Sequence, residues 1–533
     1  MLPVARNHVR EQAARLRVYG HDRILGRDHV YPMNKTSNHS AAETPESIIR
    51  HGRNAWRTAN AEKAAFLVDG ADYYRRLEQV ILKAKRAIFI IGWDFNPDIL
   101  LRPGEADSPT IGALLRQRVE EEPELQVRIL VWGMGPVYSG KSFRMFGEME
   151  WNAHERIALR FDFRHPLRAS HHQKIVCIDD AVAFLGGIDL TARRWDTREH
   201  AVEQPLRISP DGKPYGPVHD MQAIVSGDAA SIVGEVARKR WKRATRQIVP
   251  LLDNQPDGHA DTLWPDDLAP ALTHCPTGLA LTMPCRWQGK RGHRESIRLT
   301  HDALRAAKRH IYLESQYLAS FGVARTIAAR LQEEDGPEIV ILVTQESHGF
   351  LEKVMMGNNR NRLIRKLKRN DRFNRLRIYY AVTADAEGRE REIIVHSKLI
   401  VIDDRLLRIG SSNLNYRSEG LDTESDLAFE PVTDEGRAAI TTMRDDLLAE
   451  HLGVTRQEIS ASMAETGSML ATIDRFNAGT RGLRPFNVDI SKGETDSVIG
   501  TSLADPKRPF WPYQQVRSLF RLSLSRLTLG LLR

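Results

Sequence analysis

Two histidine–lysine pairs stand far apart in the chain in the same local setting. His172-Gln173-Lys174 is followed by Asp179, and His396-Ser397-Lys398 is followed at the same interval by Asp403. An imidazole can attack phosphorus or move a proton near neutral pH, and an ammonium can neutralise the non-bridging oxygens of a phosphoryl group. Brought to one pocket, two such pairs supply an in-line nucleophile on one side and a proton donor for the leaving oxygen on the other. A histidine nucleophile divides the reaction into two displacements through a covalent phosphohistidine, so water or a second alcohol can complete it. This chemistry requires no metal and no cofactor, because four cationic or imidazole groups fill the role a divalent ion has elsewhere.

The elements that must position these groups follow from the neighbouring residues. On a strand, side chains two apart share a face, so each histidine points the same way as its lysine. Asp179 and Asp403 lie an odd number of residues from their histidines and face away, which gives them a structural role in orienting nearby backbone or a basic side chain. His171, on the opposite strand face, is left out of the chemistry. Each reacting histidine also needs a carboxylate on its other ring nitrogen. Asp220 and Glu424 fall at matching places, before Met221-Gln222-Ala223-Ile224 and Ser425-Asp426-Leu427-Ala428. Asp220 is favoured for His172 and Glu424 for His396, with Asp196, Glu199, Asp422 and Asp426 as substitutes.

The pairs belong to a longer internal repeat. Ala84-Lys85-Arg86-Ala87-Ile88-Phe89-Ile90 returns as Ala307-Lys308-Arg309-His310-Ile311-Tyr312-Leu313, and Val127-Arg128-Ile129-Leu130-Val131 answers to Val340-Ile341-Leu342-Val343. A small-residue turn follows each motif, Gly186-Gly187-Ile188-Asp189 and Gly410-Ser411-Ser412-Asn413. Strands alternating with helical stretches at Asp72–Ala84 and Ser296–Ala307 predict an α/β fold of two similar halves, mostly buried sheets flanked by helices, packed about a pseudo-twofold axis with one shared site. The expected divisions are an N-terminal arm over 1–60, a first half over 61–250, a Pro-, Asp- and Gly-rich linker over 251–291, a second half over 292–455 and a basic amphipathic tail over 456–533.

The duplicated HxKxxxxD constellation with its downstream turns resembles the signature of the phospholipase D superfamily, over roughly Ala64 to Phe429. Ser170-His171-His172-Gln173-Lys174, Gly186-Gly187-Ile188-Asp189-Leu190, Arg194-Trp195-Asp196 and Pro217-Val218-His219-Asp220 are similar to the phospholipid-cleaving branch. Glu314-Ser315-Gln316-Tyr317 resembles its ENQY element with serine for asparagine. The resemblance implies that His172 is the nucleophile and His396 the general acid and later base, and that Lys174, Lys398 and Asn413 hold phosphoryl oxygens. Asp189 stands among these phosphate-binding positions where many members have asparagine. An ionised carboxylate cannot donate to phosphate, so Asp189 is turned away, protonated or bound to a lysine. The implied activity is that of a bacterial-type phospholipase D, releasing the head group alcohol of a glycerophospholipid to leave phosphatidic acid, with transphosphatidylation. Rival readings are a cardiolipin synthase-like phosphatidyltransferase, a nuclease or DNA-adduct phosphodiesterase, and a non-catalytic lipid-binding member.

Composition is that of an ordinary globular chain: 533 residues, 41% apolar, 27% charged. No apolar run approaches the ~20 residues that span a bilayer. Met1 to Val18 lacks the apolar core of a secretory signal, and Cys177, Cys275 and Cys285 show neither a disulfide count nor zinc-ligand spacing. The expectation is a cytoplasmic protein, peripheral to the membrane, and monomeric because both motifs lie in one chain. The net charge of +8 favours anionic partners; a phospholipid surface is expected and nucleic acid is not. Arg360–Arg377 carries nine basic residues and one acid, Asp371, which fits either anionic head groups or a solvated helix face. The tail after Asp505 is basic, with a helical stripe of Val516, Leu519, Phe520, Leu524, Leu527 and Leu531 behind Phe510, Trp511 and Tyr513. An interfacial anchor fits it, and so does a buried helix or packed strand.

Overall fold

Short runs of β-branched and aromatic residues, apolar on both faces, can satisfy their backbones only in a sheet covered on both sides. The computed structural model shows such a sheet. It describes residues 46–135, 149–252, 258–285, 292–345, 350–498 and 505–509, with the side chains of 350–356 left aside.

In the first half the strands are β1 (Arg57–Val68), β2 (Ala87–Gly92), β3 (Gln126–Trp132), β4 (Ile157–Asp162), β5 (Ile175–Ile178), β6 (Val182–Gly186), β7 (Val218–His219) and β8 (Met221–Ser226). The second half contributes β9 (Leu272–Met283), the short β10 (His293–Arg294), β11 (His310–Ser315), β12 (Glu338–Val343), β13 (Leu376–Ala384), β14 (Glu390–Val395), β15 (Lys398–Ile402), β16 (Leu406–Gly410) and β17 (Glu424–Phe429). Hydrogen bonding runs β4-β3-β2-β5-β6-β8-β1 through the first half. It runs β13-β12-β11-β15-β16-β17-β9 through the second. The two orders match strand for strand and meet where β1 pairs antiparallel with β9.

Alternation along each strand divides the core. In β2, Ile88 and Ile90 pack with Tyr73, Leu77, Leu114 and Leu115 of the helices α1 (Asp69–Lys83) and α2 (Ile111–Glu121). Phe89 and Ile91 face the opposite way, into a core that reaches Val233 and Trp241 of α3 (Asp228–Thr245). That core is continuous with the second half, where Leu447 and Leu448 of a later helix, Asp434–Leu452, join it. This helix is delimited by the Thr433 side chain, which accepts the Gly436 N–H, and by Gly453 in the left-handed conformation.

Three expected divisions move. The composition of 251–291 suggested a linker, but it contains β9, whose pairing with β1 and β17 makes it the seam of the sheet. The Pro- and Asp-rich residues that suggested a linker, such as Pro265, Asp266 and Asp267, precede the strand, and Pro276 within it lies before the stretch paired with β17, which begins at Thr277. The arm ends before residue 60: β1 begins at Arg57, and the backbone N–H groups of Ile48 and Ile49 donate to Glu430 at 2.8 and 3.0 Å. The tail begins later than 456, because Arg456–Thr466 and Met469–Phe476 are helices and Gly482–Pro485 is a strand on β13. The rest of the arm, 1–45, and the proposed anchor over 510–533 lie outside the described residues. Among the described residues no helix is long and apolar enough to cross a membrane.

Candidate active site

Each motif strand is pinned at its far end by its aspartate. Asp179, in the left-handed region at φ 50°, accepts the backbone N–H groups of Lys85, Arg86 and Ala87 at 2.7–2.8 Å. Asp403, at φ 51°, accepts those of Lys308, Arg309 and His310 at 2.8 Å. Three charge-assisted bonds to one carboxylate hold β5 against the start of β2 and β15 against the start of β11. The repeated sequence preceding β2 and β11 is the other side of this clamp.

At the near ends the halves cross. His171 pairs with Thr423 as an isolated parallel bridge, and Val395 pairs with His219 between β14 and β7. The His172 N–H donates to the Thr423 carbonyl at 2.9 Å and the His396 N–H to the His219 carbonyl at 2.7 Å. The residues following Thr423 and His219 are Glu424 and Asp220, so each carboxylate meets the histidine of the opposite half. His172 Nδ1 lies 3.0 Å from Glu424 Oε2, and His396 Nδ1 lies 2.7 Å from Asp220 Oδ2. This reverses the expected pairing of Asp220 with His172 and Glu424 with His396. Sequence order suggested pairing within a half; the register of strands from different halves decides otherwise.

The lysines fold back on their own motifs. Lys174 Nζ donates to the His172 carbonyl at 2.8 Å and pairs with Asp189 Oδ2 at 2.9 Å. The other Asp189 oxygen accepts the Trp93 N–H at 2.9 Å. Both Asp189 oxygens are thus engaged within the protein, one by Lys174 and one by a backbone N–H, so the structure places Asp189 as a partner of Lys174. Lys398 Nζ donates to the His396 carbonyl and lies 3.1 Å from His396 Nδ1. At the position matching Asp189, Asn413 is buried and its side-chain oxygen has no hydrogen bond.

Electrostatics tie the four groups into one site. Burial pushes both imidazoles well below their ordinary value, and Lys174 and Lys398 push His172 the same way, as Lys398 does His396. Burial brings the Lys398 amine down to about 7 against the pull of Asp220, and Lys174 adds to the decrease. Burial raises Glu424 to about 7, although Ser411 and Ser418 donate to it at 2.6 and 2.7 Å. Burial also raises Asp220, but His396 and Lys398 outweigh it and the net shift is downward. With Nδ1 of each ring turned to a carboxylate, Nε2 is the nitrogen left for chemistry.

Sequence reasoning passed over Gly187, Ser411 and Ser418. A Cβ on Gly187 would lie 2.0 Å from Asp220 Oδ1, so only glycine lets the short aspartate reach His396. The alignment of the two turns held the signal, because Gly187 corresponds to Ser411, whose hydroxyl instead supports the longer Glu424. Asp196, one of the substitute carboxylates, accepts from Arg207 and His200. Asp422 pairs with Arg417, and Asp426 with Arg408.

The chain is similar to known proteins in sequence and in fold. Residues 80–262 match a family model described as phospholipase D, and residues 301–435 match one described as cardiolipin synthase, phospholipase D-like domain. Phospholipase D alpha 4 of Arabidopsis thaliana is 25% identical over 74% of this chain and 65% of its own. Phospholipase D A of Dictyostelium discoideum is 25% identical over 68% and 32%, and phospholipase D2 of Bos taurus is 24% identical over 68% and 49%. The chain thus spans between about a third and two thirds of the length of these relatives. In fold it is similar to phosphatidylserine synthase of Haemophilus influenzae, at a TM-score of 0.51 and 13% identity, covering 78% of this chain and 95% of that one.

Proposed function

We propose that this chain, which belongs to the phospholipase D superfamily, is a phosphodiesterase that cleaves the distal phosphodiester of glycerophospholipids and transfers the phosphatidyl group to water or an alcohol. The observation that carries this reading is the crossed pair of dyads, His172 with Glu424 and His396 with Asp220, around the two motif lysines.

His172 Nε2 attacks phosphorus in line while Nδ1–H donates to Glu424, so the imidazolium charge that develops is met by a carboxylate. The P–N bond forms as the P–O bond to the head group breaks. His396 Nε2–H gives its proton to the departing oxygen. The low affinity of the empty site's histidines for protons keeps His172 nucleophilic. An arriving phosphodiester anion favours the protonated form of His396, supplying the acid when it is needed. Lys174, Lys398 and the Asn413 amide N–H₂ face the charge spread over the non-bridging oxygens. Neutral His396 then takes the proton of an incoming water or alcohol, which displaces His172 and releases phosphatidic acid or a new phosphatidyl ester. A cytoplasmic enzyme working at a membrane surface suits this substrate.

Incubation of the purified chain with phosphatidylcholine vesicles, with and without ethanol, tests the reading. Phosphatidic acid alone without ethanol, and phosphatidylethanol with it, are expected. Cleavage of single-stranded DNA in place of lipid would overturn the substrate assignment. Inertness toward both would overturn the activity.

A further inference from the structure

Behind the reacting groups lies a second cluster that the mechanism does not use as a reactant. Asp69 opens α1, His200 stands on the loop after the first-half turn, His219 lies in β7, and Glu450 comes from the helix Asp434–Leu452 of the second half. All four are buried. Their donor atoms lie within 4.8 Å of one another. His200 Nε2 is 3.3 Å from Asp69 Oδ2 and 3.1 Å from Glu450 Oε1; His219 Nδ1 is 3.2 Å from Asp69 Oδ1 and 2.9 Å from the same Glu450 oxygen.

We propose that Asp69, His200, His219 and Glu450 form a structural site for a divalent transition-metal ion of the zinc class. Four nitrogen or oxygen donors at about 2.0–2.1 Å from a tetrahedral ion are separated by about 3.3 Å; the histidine–carboxylate separations above, which involve both Asp69 oxygens, cluster near that value, and with one donor atom per residue the four lie within 4.8 Å of one another. Two carboxylates and two neutral imidazoles make a neutral complex with a divalent ion, and a mixed imidazole–carboxylate set suits zinc. Each imidazole is braced on its far nitrogen by a further carboxylate: His200 Nδ1 by Asp196 Oδ2 at 3.0 Å, and His219 Nε2 by Glu314 Oε2 at 3.0 Å. That is how metal-bound histidines are oriented. Arg207 in turn holds Asp196, while Tyr312 and Ser397 donate to Glu314.

Protons on both rings would carry the same charge as one divalent ion, but direction separates the two cases. A proton serves only along the N–H axis. His200 Nε2 is aligned with Glu450 Oε1 at 3.1 Å, whereas the His219 Nδ1–H axis is poorly aligned with both carboxylate oxygens that lie within 3.2 Å of it. An ion between the four atoms needs only their convergence. Asp69 and His200 also hold left-handed backbones, at φ 67° and 44°, a strain that ligand positions retain when the surroundings demand it. The ion joins both halves behind Asp220, whose backbone N–H donates to Asp69 at 3.2 Å. The proposal stands apart from the phosphodiesterase reading, because metal content is measured without turnover.

The test uses the full chain, purified without a polyhistidine tag or chelator, exchanged into zinc-free buffer and analysed by inductively coupled plasma mass spectrometry before and after exposure to zinc sulfate and desalting. About one zinc per chain is expected, retained in the double variant His172→Ala/His396→Ala and lost in Asp69→Asn/Glu450→Gln. Less than about a tenth of an equivalent after zinc exposure would overturn the site, and full zinc in a folded Asp69→Asn/Glu450→Gln protein would overturn its location. Should that variant fail to fold, X-ray absorption on the wild-type protein decides. A shell of four nitrogen or oxygen scatterers near about 2.0 Å supports the site, and sulfur or six-fold coordination refutes it.

Discussion

The two halves present the same strands and the same histidine–lysine spacing, yet they finish the site with opposite choices. In the first, Lys174 pairs with the Asp189 carboxylate; in the second, the matching position is the amide Asn413, and Lys398 donates to the His396 carbonyl. In the first, Gly187 makes room for Asp220; in the second, Ser411 fills that room and donates to the longer Glu424. A duplicated frame thus gives two unlike dyads. Unlike surroundings separate the proton affinities of the two histidines, which suits the proposed division into one nucleophile and one acid.

The largest break in the comparison comes from removing either ring. His172→Ala and His396→Ala are each expected to lower head group release by about 10⁴-fold or more, with an unchanged circular dichroism spectrum. Turnover within about a hundredfold of wild type in either one would end the two-histidine mechanism. The crossed carboxylates extend this to whole halves. Separately expressed halves should be inactive, and any activity on mixing should need both histidines.

Copying one turn onto the other is the next largest change. Gly187→Ser places atoms where the Asp220 carboxylate lies, and a displaced acid should cost about 10²-fold in kcat. Ser411→Gly removes one supporting hydrogen bond from Glu424 and should cost about tenfold or less. Equal losses from the two would show that the turns are interchangeable.

The pH profile sharpens the contrast further. Glu424, raised to about 7, must be ionised to hold the His172 N–H, so activity falls as pH drops below that value. Lys398, lowered to about 7, must be protonated to meet phosphate, so activity falls as pH rises above it. A bell centred near neutrality is expected for kcat/KM. Glu424→Gln should flatten the acid limb and leave the alkaline limb in place; loss of the alkaline limb instead would reassign the two groups.

The smallest effect on rate is expected at Asp189. Asp189→Asn makes the first half resemble the second and should change kcat by no more than about tenfold. It leaves Lys174 buried without its carboxylate, so the ligand-free protein should melt lower. Inorganic phosphate should restore part of the difference, and an unchanged melting temperature with and without phosphate would show the ion pair to be dispensable.

The candidate reacting residues were legible because their pattern is local. His172 and Lys174, or His396 and Lys398, lie within three residues of each other and recur with their aspartates, so the motif can be read without knowing the fold. The aspartate clamps were half legible. Strand alternation turned Asp179 and Asp403 away from substrate, but the backbone amides they accept lie about ninety residues upstream. β9 was hidden because Pro276 and the loop residues around it outweighed its apolar second part.

The sequence by itself therefore determined the class of chemistry, the duplication and the α/β frame, all carried by contacts between near neighbours and by strand periodicity. Tertiary structure alone decided which carboxylate serves which histidine, that Asp189 answers Lys174, and that Asp69, His200, His219 and Glu450 converge. These pairings span up to several hundred residues, and their register is set by how the buried faces of two halves pack, which no local spacing encodes.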